Sequence, residues 1–183
     1  MPTGPHHGRR RSRVAIASVV VGLVLVSSVA LAYRDIWRPP PPLLNTLQSP
    51  HAVAEAVLAA LHGENLESLE ALALTGPEFR RYVWPELPVS QPESNVPFEF
   101  AWGMLRRNSE GHLRQTVARF KGRQLALKRV EFRGPSTTYE RVSVHRDARL
   151  VIEGDDGSDQ VVRLFGSLIE QDGRWKVFSY VVD

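Results

Sequence analysis

Residues 14–32 read VAIASVVVGLVLVSSVALA, nineteen positions without a charge. A helix of that length rises about 28 Å, close to the thickness of bilayer hydrocarbon. Arg9, Arg10, Arg11 and Arg13 stand just before the run, whereas only the adjacent Arg34 and Asp35, then Arg38, follow it closely. By the positive-inside rule this places the N-terminus in the cytoplasm and the rest of the chain across the membrane. Two readings of the segment stay open. Ala30-Leu31-Ala32 matches the small-residue pattern at which a signal peptidase cuts, which would release the chain from Tyr33 onward. Left uncut, the segment is an anchor with Tyr33 and Trp37 at the membrane interface. Its length exceeds the roughly 7–15 residues of a signal core and favours the anchor.

The order of compositions along the chain gives four parts: a basic tail over 1–13, the membrane or signal helix over 14–33, a proline-rich linker over 34–48 and a globular domain over 49–183. Pro39, Pro40, Pro41 and Pro42 form a stiff, extended spacer. The expected location is the cell membrane, single-pass, with the domain in the periplasm or at the cell exterior, or secreted if cleavage follows Ala32.

The pI of 9.6 suggests a nucleic-acid binder, but the charge is misplaced for one. Four of the 23 basic residues are the N-terminal arginines, and no acid precedes Val14, so the remainder carries one more acid than base. A phosphate-tracking stripe needs clustered, uncompensated Lys and Arg, so no nucleic-acid partner is expected. The chain has no cysteine, which excludes disulfides, zinc–thiolate sites and a cysteine nucleophile. No cofactor and no metal site are expected either. His51 and His62 lie eleven residues apart, and His112 has no second ligand at i+4.

Within the domain, Ser49-Pro50 caps a helix that runs to Gly63, with Val53, Val57 and Leu61 on one face. Asn65 caps a second helix through Leu74. Thr75 and Glu78 have capping-box spacing and start a third helix that ends near Tyr82. After a proline-rich loop, a long helix spans about 97–121, with Trp102, Leu105, Ser109, Leu113, Thr116 and Phe120 on one face and a bend allowed near 108–111. Beyond Gly122 the period changes to two and predicts four strands, over 124–133, 138–153, 159–171 and 174–182. Gly134-Pro135, residues 154–157 and Asp172-Gly173 supply the turns. The expected class is α+β: N-terminal helices packed on a curved, mainly antiparallel four-stranded sheet, cone-shaped, preceded by one hydrophobic helix.

That element order, the paired N-terminal helices and the closing Asp172-Gly-Arg-Trp175-Lys-Val-Phe178-Ser-Tyr180-Val resemble the nuclear transport factor 2-like superfamily over residues 49–183. The superfamily includes ketosteroid isomerase, polyketide cyclases and membrane-linked accessory domains. The resemblance implies a cone-shaped domain; the isomerases' catalytic set has no residue-by-residue match here.

Two groups of residues are candidates for a site. Tyr82, Trp84, Trp102 and Arg106 mix aromatic rings with charge near the long helix and would line the mouth of a cavity, where they suit a small apolar ligand. His145 and Asp147, at i, i+2 on a strand, share a face on which a carboxylate would tune an imidazole. That face alternates with Val142, Val144, Ala148, Leu150 and Ile152, and so reads as the wetter one. No residue is assigned as catalytic. The leading expectation is a non-enzymatic accessory domain, tethered to the cytoplasmic membrane through residues 14–33, that binds a protein partner or itself through a polar strand face flanked by Tyr139 and Val151. The alternative is a small-molecule-binding or isomerase/cyclase-like cavity protein.

Overall fold

The computed structural model describes residues 41–182 apart from Asp155. The basic tail and the apolar segment lie outside the described residues. Among those described, no helix is long and apolar enough to cross a membrane.

Among the described residues four α-helices precede the strands, so the class is α+β. Helix α1 (Pro50–His62) starts where Ser49 accepts the Ala52 N–H and buries Val53, Val57, Leu58 and Leu61. Each such side chain contributes about 1.5–3 kcal/mol by leaving water. The left-handed residue after α1 is Glu64 (φ 53°), one position beyond the glycine expected to end the helix. Helix α2 (Leu66–Ala71) is capped by Asn65, whose side chain accepts the Ser68 N–H. Helix α3 (Gly76–Tyr82) carries a complete capping box between Thr75 and Glu78. Three single-turn 3-10 segments, each begun near a proline, cross to α4 (Phe98–Phe120), which runs unbroken.

Seven short strands follow, where four long ones were expected: β1 (Leu127–Phe132), β2 (Ser136–Thr138), β3 (Ser143–Arg146), β4 (Ala148–Glu153), β5 (Asp159–Val162), β6 (Ser167–Gln171) and β7 (Arg174–Ser179). They form two antiparallel sheets, in the orders β1-β4-β5 and β2-β3-β6-β7. The chain path is still the expected meander. Gly134-Pro135, expected as the turn between the first two strands, is instead a bend between β1 and β2, and the hairpin falls at 139–142. The expected second and third strands are each broken once, and the three breaks fall side by side. Across this corner the Gly134 N–H donates to Arg146 O, Ala148 N–H to Gly166 O, and Gly166 N–H to Ser179 O, at 3.0–3.2 Å. Asp147, left-handed at φ 51°, turns the second strand from one sheet into the other. Gly166 turns the third, where a Cβ would sit 1.7 Å from Val181 O. The Asp172-Gly173 turn has both residues left-handed, as a tight hairpin requires.

The β2-β3-β6-β7 sheet is covered on both faces. Adjacent residues of β6 enter different cores: Leu168 packs with α1, Leu69, Leu113 and Phe120, whereas Ile169 packs with Phe79, Tyr82, Val83 and Val144. The free edge of β7 is closed by the chain on either side of the first two helices. Leu47 and Trp175 exchange both backbone hydrogen bonds at 2.8 Å, and Val177 bonds Leu72 and Leu74. Such cover removes an edge open to foreign strands. Residues 43–47, at the end of the expected linker, are thus packed on the domain: Leu43 is buried, and its N–H donates to Gln171 Oε1.

Candidate functional site

Helix α4 serves both cores. Phe98, Trp102 and Leu105 pack into the core around Phe79, while Leu113 and Phe120 belong to the core beneath α1. Between these contacts the inward position is Ser109, with Arg106 and Glu110 on its flank, and these cannot fill an apolar space. A half-open cleft of about 400 Å³ remains there, between α4, the α2–α3 connection and the end of β7.

The cleft is amphipathic. Leu74, Leu105, Leu113 and Phe178 form its apolar lining, with Trp102 at one end. Trp102 is held by an aromatic cluster, its ring centroid 5.6 Å from that of Phe79, which in turn meets Phe98, Trp84 and Phe178 at 6.0–6.4 Å. Gly76 lets the indole approach: a Cβ there would lie 2.9 Å from Trp102 Nε1. At the mouth, Arg106 is ion-paired with Glu110, which also meets Arg114 at 3.6 Å. Hydrogen bonding to Glu110, and the nearby charges of Glu110 and Glu70, hold the Arg106 guanidinium above its ordinary pKa.

Three hydroxyl groups of the lining already have partners. Ser109 Oγ accepts the Tyr180 N–H at 3.0 Å, and the Thr75 hydroxyl donates to Glu78 at 2.8 Å. The Tyr180 hydroxyl donates to Leu69 O at 2.6 Å, and burial raises its pKa further from neutrality. Behind the Thr75 wall lies a buried ion pair. Lys176 is fully buried, with Nζ 3.0 and 3.2 Å from the two Glu78 oxygens. The same carboxylate accepts the N–H groups of Leu44 and Thr75 at 2.8 Å. Burial would raise the Glu78 pKa, but these donors and the Lys176 charge outweigh it and hold the carboxyl below its usual range. Burial pushes the Lys176 ammonium below the ordinary lysine value, with Glu78 opposing.

Of the four residues expected at a cavity mouth, Trp102 and Arg106 line the cleft. Tyr82 is buried in the core beneath α3, and Trp84 stands in the aromatic cluster, so neither reaches it. His145 and Asp147 take different partners. His145 Nδ1 meets Ser136 Oγ at 2.9 Å, and its ring lies 4.7 Å from Trp175 and 5.3 Å from Phe132. Its Nε2 is buried without a hydrogen bond. The face expected to be wet is therefore covered at His145, because both sides of this sheet are packed. Asp147 bonds Arg149 at 2.9 Å and Arg163 at 3.1 Å, and these hold its carboxyl below the usual range. Its left-handed backbone interrupts the alternation on which the shared face depended. Tyr139 and Val151, expected to flank a contact surface, are both buried.

Sequence reading missed Ser109, Glu110, Phe178 and Tyr180 as a set. The available signal was the polar interruption in the inward stripe of α4. Among the described residues no group of three or more His, Cys, Asp or Glu is placed to hold a metal ion. No family model, no curated protein and no solved structure matches the chain.

Proposed function

We propose that this chain is a membrane-tethered, extracytoplasmic binding domain whose cleft beside α4 receives a small, largely apolar molecule with one polar end. The observation that carries the reading is the cleft itself: about 400 Å³, apolar in its depth, with an indole at one end and an arginine–glutamate pair at its mouth. Volumes of this order and a few placed polar groups are usual for small-molecule sites. The tether rests on the nineteen-residue apolar segment with its preceding arginines. A cone-shaped domain of the nuclear transport factor 2-like kind, as the closing hairpin suggests, agrees with a ligand held beside the helices.

In this reading the domain binds what it holds, and the lining offers no nucleophile–base pair. No histidine lines the cleft, and Ser109, Thr75 and Tyr180 are committed to structural hydrogen bonds. A general base needs a group free to take a proton within hydrogen-bond reach of substrate. Of the carboxylates that line the cleft, Glu110 is paired with Arg106, leaving Glu70 as the candidate for that role.

The test compares 2-naphthol uptake by the full chain in nanodiscs with uptake by Ser109→Phe, whose ring occupies the cleft. Partition into lipid is common to both and cancels. Saturable uptake by the wild type beyond that of the variant supports the reading, whereas equal uptake by both defeats it. A thermal melt of the variant checks that it remains folded.

A further inference from the structure

The outward face of α4 belongs to no site so far described. Phe100, Met104, Arg107, Gly111 and Arg114 recur at spacings of three and four, so they form one stripe opposite the packed residues Phe98, Trp102 and Leu105. Phe100 is 61% exposed and Met104 42%, an unusual pair of large apolar side chains on one turn of a surface helix. Arg107 lies along this face with Nη2 3.2 Å from Met104 Sδ, in contact with a thioether where a carboxylate would be the ordinary partner. Of the nearby acids, Glu99 pairs with Arg80, whereas Glu110 pairs with Arg106 and also meets Arg114 at 3.6 Å. Arg107 is thus the arginine of this face that lies against an apolar partner. Apolar tips flanked by arginines on an otherwise solvated helix are the pattern of a helix lying on an anionic lipid surface.

We propose that this face of α4 docks on the membrane surface, with Phe100 and Met104 entering the headgroup boundary and Arg107 meeting anionic lipid phosphates. The proposal rests on the tether read above. The packed domain begins at about Pro42, nine residues beyond the apolar segment, and nine residues reach at most about 30 Å. A second copy is the poorer occupant. An antiparallel two-fold pairing that sets Phe100 over Gly111 sets Arg107 over Met104 and leaves the two Arg107 residues only about 4.5 Å apart along the axis, where like charges repel. An anionic surface favours that charge.

The chain lacks cysteine, so a single label can be placed without background. Met104→Cys carrying bimane, in the full chain reconstituted with brominated lipid, reports contact with the acyl boundary. A control label at Asp156→Cys, on the β4–β5 turn, reports the rest of the domain. The expected result is strong quenching at 104 and little at 156 in vesicles of phosphatidylglycerol and phosphatidylcholine, reduced in phosphatidylcholine alone. Arg107→Gln lowers the docked fraction roughly fivefold at low salt. Equal quenching at the two positions, or quenching indifferent to lipid charge, overturns the proposal. So does a disulfide between two unlabelled Met104→Cys chains without quenching, which identifies a second copy as the occupant. Alkaline carbonate extraction separates the two readings. Release of the chain refutes the tether alone, and sedimentation of the released chain with phosphatidylglycerol vesicles then tests the helix face directly: binding lost in Arg107→Gln upholds docking, and no binding refutes it.

Discussion

Glu78 does two jobs from one position. It closes the capping box of α3, and it neutralises Lys176 on β7, 98 residues away. Removing one member of a buried pair leaves the other charge uncompensated, which costs about 3–5 kcal/mol. Glu78→Ala is expected to fall in that range in denaturant unfolding, because it strands the Lys176 ammonium and also frees the donors of Leu44 and Thr75. Lys176→Met is expected to cost less, about 1–3 kcal/mol, since Glu78 keeps three hydrogen-bond donors. The pH dependence follows from the sign of the Glu78 shift. Its folded pKa lies below the ordinary 4.5, so its contribution is complete above that value and is lost as pH falls through the lower folded one. The melting temperature should therefore drop below about pH 4.5. Glu78→Gln should flatten that acid limb, and an unchanged limb would show that other carboxylates set it. Gly76 is a second residue with a defined effect. Gly76→Ala pushes a methyl group against Trp102 Nε1. It should move the indole and weaken uptake of 2-naphthol while leaving α3 capped, as read by tryptophan fluorescence and dialysis.

At the scale of elements, helices were more legible than strands. Caps at Ser49, Asn65 and Thr75 are local signals, and each helix begins where its cap stands. The inward stripe of α4 was legible too, and with it Trp102, whereas Arg106 was legible only as a charge among neighbouring aromatic rings. Leu113, Thr116 and Phe120 are its buried end. The break at Asp147 was not legible, since alternation continues through residues 142–152 and nothing local marks that residue as left-handed. Its conformation is held by Arg149 and Arg163, the second of them sixteen positions away. The same distance effect hid the packing of His145 between Phe132 and Trp175, because cover on the second face of a sheet is a property of the assembled chain. The corner makes a sharp prediction. Gly166→Ala places a methyl group 1.7 Å from Val181 O, so the β5–β6 bend must open. A loss of more than about 3 kcal/mol is expected in the same unfolding experiment. A near-neutral result would mean that the C-terminal residues move aside freely.

For the whole molecule, the two faces of α4 divide the labour. Its inner face bridges two hydrophobic cores and leaves the cleft where polar residues interrupt the packing. Its outer face carries exposed apolar tips and an arginine lying against a thioether. A tethered domain with both features would hold a small molecule close to the bilayer, and its first strap, Leu43 and Leu44, ties the incoming chain to Gln171 and Glu78. The most direct test of the binding claim is a titration of the full chain with 2-naphthol in nanodiscs, followed through the ¹⁵N-labelled indole N–H signals. The chain has four tryptophans, so each signal can be assigned by single substitution to phenylalanine. The account predicts a saturable shift of Trp102, a smaller one at Trp84 through the aromatic cluster, and none at Trp175. A Trp102 signal that does not move, or a uniform and non-saturating drift of all four, would contradict it.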